Sequence, residues 1–506
     1  MVSPKRGLER KIKTVKVAIL ADIGQRVYHV GDEAMAHAAT DELRKRGIDD
    51  IVLLSRNPPQ TRALYSADSA KTLEFPWPPL ERERYLDEIC RSLNGEQNVL
   101  PVDDQLWAFM SVIESCDAVL MAGGGNLNST YGWLLYERAA VATIARHFRK
   151  PLVISGQTLG PALTGPDAAV LRRLLECAQL VGVRERYSYG MGLDLGVPKA
   201  KLTAGMDDAS FPDFGPTGEQ TVEEPYIAVS FSPGTGVLAA EEYFGHVAAA
   251  LDDLAETSGA RVVFVPHMDS ETIRNQDLAT HEQLAECMRT TNVQLLEVLP
   301  AYQAASVIAG ASMVVTSRYH SAVFALSAGI PTVALSTDYY SHARLSGVLG
   351  NWGLTSFNVP LALLLTGGFR KAAITGWEQR SQIGSHLGQL RRGREGESQA
   401  WWDAVVLTLQ GQVPPAPPNL SPAMDYVSCA AWAREAEATG NVSSKIELRM
   451  AVAELELQRE RDLRRNACRE RDQARAEMDR LMGSRAFRLA SSAWRITSKF
   501  KHGDEK

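Results

Sequence analysis

Short apolar runs alternate with longer amphipathic stretches from Lys16 to about Asp207, the pattern of a parallel sheet covered by helices. The runs Lys16–Leu20, Ile51–Leu54, Ala118–Met121, Pro151–Ser155, Leu180–Val183 and Lys201–Ala204 predict its strands. Between the first two, Asp32 to Arg46 reads as a helix, with Asp32 at its N-cap and Gly47 closing it. A polar stretch, Gly215 to Glu224, ends this first α/β domain, which spans residues 17–215. A second series follows in Tyr226–Phe231, Arg261–Pro266, Val293–Val298, Met313–Thr316 and Pro331–Leu335. Helical segments such as Glu241–Thr257 and Tyr302–Gly310 fill its gaps, so residues 222–385 repeat the architecture of the first half. The expected fold is α/β, with two Rossmann-like doubly wound domains facing a cleft.

Beyond Ala372 the pattern weakens, and residues 386–425 read as a Pro-rich linker region containing Pro414, Pro415, Pro417, Pro418 and Pro422. Within a C-terminal extension, 426–506, the charged stretch Ser443–Leu481 lacks Gly and Pro and predicts a long helix. Leu448, Val452 and Leu455 begin an i, i+4, i+7 seam, but Arg459 and Asp462 take its next places, which argues against a coiled coil.

At 506 residues, 45% hydrophobic and 23% charged, the chain is globular and too long for one core. Its 54 basic and 60 acidic residues give a net charge of −6, unlike the basic body of a general nucleic-acid binder. No run of roughly 20 apolar residues is present, and the basic arm 1–16 is not followed by an apolar core, so neither secretion nor membrane spanning is expected. Six cysteines without a CxxC pair suggest neither a disulfide framework nor a zinc site, which fits the cytoplasm.

The segment Asp117 to Asn126 is a strand running into Gly123, Gly124 and Gly125. It places backbone amides at the carboxyl end of a sheet, where ligands of open α/β sheets bind, although a tight turn explains a glycine run equally well. Four further segments accompany it: Gly31-Asp32-Glu33; Gly156-Gln-Thr-Leu-Gly-Pro161; Val183-Arg184-Glu185 with Ser188; and Ser317-Arg318-Tyr319-His320-Ser321 followed by Ala328-Gly329-Ile330-Pro331. Together, over roughly Val17 to Gly353, they resemble the polysaccharide pyruvyl transferase family. The loop Ile23–Val30 before Gly31-Asp32 departs from the shorter approach common in that family.

The resemblance implies a fold similar to the GT-B glycosyltransferases with phosphoenolpyruvate between the domains. It implies a transfer in which the enolpyruvyl group becomes a ketal on two hydroxyls of a cell-surface glycan or lipid-linked sugar, with release of phosphate and no further cofactor. A carboxylate and a phosphate call for guanidinium forks, and Arg318 and Arg184 each follow a strand ending at the expected cleft. For Arg184 the competing reading is an inter-domain ion pair with Asp207 or Asp208. Protonating the enol methylene needs a general acid, and His320, two residues from Arg318, stands where the resemblance implies the catalytic histidine. His267, at a strand-to-loop corner, either touches the donor or closes its turn. Asp207-Asp208 is not read as a metal site, since adjacent carboxylates point apart. Asp32, Asn126, Asn128 and the glycine turn are assigned to the acceptor side, and Tyr131 and Trp133 to sugar stacking or core.

The tail 484–501 interleaves cations with Phe487, Leu489, Trp494, Ile496 and Phe500, a composition suited to an anionic membrane surface or a partner. Two rivals remain at this level: a nucleotide-sugar glycosyltransferase of the same architecture, and a catalytically silent scaffold for glycan assembly.

Overall fold

In the computed structural model, residues 15–212, 225–270, 276–426 and 430–492 are described. The first domain carries β1 (Val17–Leu20), β2 (Val27–His29), β3 (Ile51–Ser55), β4 (Asp68–Lys71), β5 (Ala118–Met121), β6 (Gly124–Leu127), β7 (Leu152–Leu159), β8 (Leu180–Val183) and β9 (Leu202–Ala204). All but β2 form one parallel sheet in the order β4-β3-β1-β5-β7-β8-β9, with β6 beside β7. The second carries β10 (Tyr226–Ser230), β11 (Arg261–Phe264), β12 (Met268–Ser270), β13 (Val293–Leu295), β14 (Met313–Thr316), β15 (Thr332–Ser336) and β16 (Asn358–Pro360). Its parallel sheet runs β13-β11-β10-β14-β15-β16. In both sheets the central strands are buried on both faces, which is why they read as unbroken apolar runs rather than alternating ones.

Strand β7 runs past its expected end at Ser155 through Gly156-Gln157-Thr158-Leu159. The loop Ile23–Val30 holds strand β2, which pairs antiparallel with β12 of the second domain, His29 opposite Met268. This inter-domain ribbon corrects the expected cap at Asp32. The helix Val30–Lys45 begins two residues earlier, with His29 at the N-cap and no side-chain cap, because the His267 carbonyl accepts the Val30 amide at 3.0 Å. Asp32 lies in the first turn, 3.9 Å from the His29 ring.

The expected linker 386–425 is half helix. The helix Arg380–Leu409 leaves the second domain and returns to the first, where Trp401, Trp402, Val405 and Leu409 join the core beneath β1, β3 and β5. Trp401 Nε1 donates to Ser155 at 2.9 Å, and the indole lies where a side chain on Gly182 would stand, 2.3 Å from the position of its Cβ. Gly182→Ala is therefore expected to unseat this helix at a cost of about 1–3 kcal/mol. An unchanged thermal midpoint in that variant would refute the packing argument.

The C-terminal helix spans Ala431–Gly483, starting earlier than expected and passing through Gly440, whose missing side chain lets the His342 ring approach. Its seam docks on this chain's own domains: Leu448, Val452, Leu455 and Arg459 are half-buried, and Arg459 forks onto Glu83 of the helix Pro79–Leu93 at 2.8 and 2.8 Å. Among the described residues no helix is long and apolar enough to cross a membrane. Of the basic tail, Phe487 and Leu489 are exposed, while Trp494, Ile496 and Phe500 lie outside the described residues.

Candidate active site

A cavity of about 420 Å³ lies between the domains at the carboxyl ends of the central strands. It takes in His320, Arg318, Arg184, His267, Asp32, Gly125 and Asn126 from the residues singled out in the sequence. Tyr131 and Trp133 also reach it, whereas Gly123, Gly124 and Asn128 do not line it.

The quoted motifs meet in one buried polar network under this cavity. Arg184 Nη1 donates to Asp207 at 2.6 Å, and its Nε lies 2.8 Å from Thr158 and 3.1 Å from Glu185. Glu185 in turn accepts from Thr158 at 2.6 Å and Ser188 at 2.8 Å. The Arg184 ion pair is thus real but lies within the first domain, since Asp207 follows β9. Only beyond it does Arg184 reach across, with its guanidinium 4.4 Å from the Tyr319 ring centroid. Asp208 points away from Asp207, accepting from Ser155 at 2.6 Å and from the Gly123 amide at 2.8 Å. Burial pushes the Asp208 carboxyl up to about 7.

That last bond corrects the reading of the glycine turn as an open amide cradle. The Gly123 amide is committed to Asp208, Gly124 begins a short strand, and the Gly125 carbonyl accepts from Tyr340 across the cleft and from Asn128 at 3.0 Å. Glycine is needed at 125 because the Tyr340 hydroxyl and Arg184 Nη2 lie 2.7 and 3.0 Å from where its Cβ would be. Asn128 shapes the turn, also accepting from the Tyr131 amide at 3.0 Å.

From the second domain, Arg318 donates through Nε and Nη2 to the fully buried Asp277, with the Nε contact at 3.1 Å. His267 also depends on Asp277, which accepts its amide at 2.9 Å. The His267 ring places Nδ1 2.9 Å from Ser230 and 3.1 Å from the Val265 carbonyl. A carbonyl can only accept, so the proton sits on Nδ1 and Nε2 presents a lone pair to the cavity. Burial holds this ring down to about 4, despite Asp277.

His320 opens the helix Tyr319–Ala328, and its ring fills the place of a Gly31 side chain, with Nδ1 1.8 Å from the position of that Cβ. The Gly-Asp of the first domain and the Arg-x-His of the second are therefore two halves of one contact. Burial, then Arg184, His267, Arg344 and His29, hold the His320 imidazole well below its ordinary range, so it is neutral at pH 7. Its Nε2 is 3.7 Å from Asp207, beyond a hydrogen bond.

Sequence reasoning missed Arg344, Tyr340 and Ser232. Arg344 stacks on the Tyr340 ring at 3.9 Å, and its buried Nε has no hydrogen-bond partner among the described residues. Ser232 stands in the turn Ser232-Pro-Gly-Thr-Gly236 after β10, and its amide donates to Ser317 at 2.8 Å. The signals were present: a glycine-bearing turn after one strand, and an Asp-capped helix, Tyr339–Asn351, after another.

The sequence model of the polysaccharide pyruvyl transferase family matches residues 29–339, more than half of the chain. The chain belongs to the polysaccharide pyruvyl transferase family. The matched span begins at the inter-domain strand β2 and ends at the start of the helix that bears Tyr340 and Arg344, so it takes in every motif that meets under the cavity. Among curated proteins nothing matches. Among solved structures, the family member is similar to a Listeria monocytogenes protein assigned as a UDP-N-acetylglucosamine 2-epimerase, with a TM-score of 0.52 and 12% identity over 81% of this chain and 100% of that one. It is also similar to Staphylococcus aureus MnaA in its co-structure with UDP, with a TM-score of 0.50 and 9% identity over 80% of this chain and 100% of that one. At such identities the likeness shows the GT-B-like fold alone.

Proposed function

We propose that this pyruvyl transferase family member binds phosphoenolpyruvate in the inter-domain cavity and transfers its pyruvyl group to a glycan as a ketal. One observation carries the reading. His320 Nε2, His267 Nε2 and Arg344 Nε are buried around one cavity without hydrogen-bond partners among the described residues. Orphaned buried nitrogens are costly unless a ligand completes them, and these stand beside Arg184 and Arg318. The helix Tyr319–Ala328, which has no side-chain cap, also turns its N-terminus to the same space, which favours an anion.

The chemistry follows from the charges. Burial and the neighbouring cations keep His320 neutral, and a donor bearing carboxylate and phosphate opposes both, so the imidazole takes up a proton from solvent as the donor loads. His320 then gives its proton to the methylene carbon, leaving a cationic centre at the adjacent carbon. One sugar hydroxyl attacks there and returns its proton to the imidazole. The second hydroxyl displaces phosphate, which leaves with that hydroxyl's proton, and the ketal is closed with atoms and charge balanced. Arg184, Arg318 and Arg344 hold the anionic groups throughout.

Calorimetry with phosphoenolpyruvate, with inorganic phosphate as competitor, tests this without knowledge of the acceptor. Arg318→Ala is a poor probe, because it removes the cation forked to the buried Asp277 carboxylate. Arg344→Ala breaks no ion pair among the described residues and is expected to weaken binding about 10- to 100-fold, the value of one charge-assisted contact. Equal affinity in the variant would remove Arg344 from the site. A protein that ignores phosphoenolpyruvate but binds a UDP-sugar would be a glycosyltransferase-like member instead.

A further inference from the structure

A second hollow opens beside the cleft, and the cleft reading does not use it. Its floor is formed by Arg82 and Asp167, only 6% and 1% exposed. Their nearest charged atoms are 3.6 Å apart, and Arg82 Nε and Asp167 Oδ1 have no hydrogen-bond partner among the described residues. The pair is close but incomplete, where a hydroxyl group able both to donate and to accept would complete it. Glycine at 132 is part of the arrangement, since its Cβ would come within 2.2 Å of the Arg82 guanidinium carbon.

One wall is aromatic. Trp77 is 61% exposed, yet its ring is stacked on Trp133, with centroids 4.0 Å apart and planes at 28°. Trp133 borders both the hollow and the central cavity, and Tyr131 stands edge-on to it at 5.6 Å. The opposite wall is the C-terminal helix, held by the Arg459–Glu83 fork. The hollow offers about 60 Å³, room for the hydroxyl-bearing edge of a sugar.

We propose that this hollow is a second sugar subsite, holding a residue of an extended acceptor glycan next to the residue that receives the pyruvyl group; it rests on the cleft being the reaction site. A pyranose has an apolar face of C–H groups suited to an indole and a rim of hydroxyls suited to a carboxylate and a guanidinium, and the hollow offers both through Trp77 and the Arg82–Asp167 pair. The family member therefore selects oligosaccharides over monosaccharides, and its C-terminal helix is part of the acceptor site.

The test is binding of the full chain to a printed array of bacterial surface oligosaccharides and their component monosaccharides. Binding is expected to at least one oligosaccharide class and weaker, or absent, for the matching monosaccharide. Trp77→Ala, an exposed position that leaves folding intact, should weaken oligosaccharide binding about five- to tenfold while phosphoenolpyruvate affinity stays unchanged. Arg459→Ala, which frees the helical wall, should act in the same direction. Undiminished oligosaccharide binding in Trp77→Ala, or binding to no printed oligosaccharide, would overturn the subsite. Glycan binding sensitive to Trp77 in a protein that does not bind phosphoenolpyruvate would support the subsite and refute the donor reading instead.

Discussion

His320→Gln is expected to lower phosphate release from phosphoenolpyruvate and acceptor by about 10²–10⁴-fold, while phosphoenolpyruvate binding stays measurable. Glutamine keeps a polar side chain against Gly31 but cannot carry a proton to carbon. Stopped transfer alone would not separate a proton donor from a packing residue, so the pH dependence of binding decides. In the free protein, burial and the neighbouring Arg184 hold the imidazole below its ordinary range, and it is neutral at pH 7. A bound dianion raises that pKa, so loading takes up a proton and the affinity strengthens as pH falls through the ligand-bound value towards the lower free-protein value. Calorimetry in two buffers of different ionisation enthalpy should show this uptake in the unmodified protein and not in His320→Gln. Full turnover in the variant, or the same proton uptake, would end the assignment.

Arg184→Ala is expected to remove about 3–5 kcal/mol of stability as well as donor binding. The guanidinium is the shared partner of Asp207, Glu185 and Thr158, and all four side chains are nearly solvent-free. Its removal leaves two buried carboxylates without their cation, and burial already pushes the Glu185 carboxyl up even with Arg184 present. Arg184→Lys restores one charge but not the fork, so it should recover part of the stability and little of the donor affinity. Urea unfolding of the two variants measures this directly, and a loss below 1 kcal/mol in Arg184→Ala would show that the network is solvated after all.

Much of the first domain was legible because buried parallel strands announce themselves as apolar runs. The strands that were missed are those that carry little apolar signal: β2, β4, β6, β12 and β16 are short, and β4 is only Asp68-Ser-Ala-Lys71. The return of the helix Arg380–Leu409 was illegible for a different reason. Its Trp401 is seated against Ser155 of β7 and Gly182 of β8, more than 200 residues earlier, and nothing near Trp401 in the chain records those partners. The same holds at the site, where Arg318 and His320 were found from a motif but their dependence on Asp277 and Gly31 was not.

The sequence by itself determined the two sheets, the glycine-bearing turns at their carboxyl ends and the set of charged residues placed there, since each of these is set by neighbours a few positions away. Only the tertiary structure decided which glycine faces a ligand and which seats a ring, that His320 is neutral, that Arg318 is forked to Asp277, and that the C-terminal helix closes a hollow beside the cleft. Those outcomes depend on burial and on contacts between segments hundreds of residues apart, where desolvation and close packing rather than local propensity set the energies.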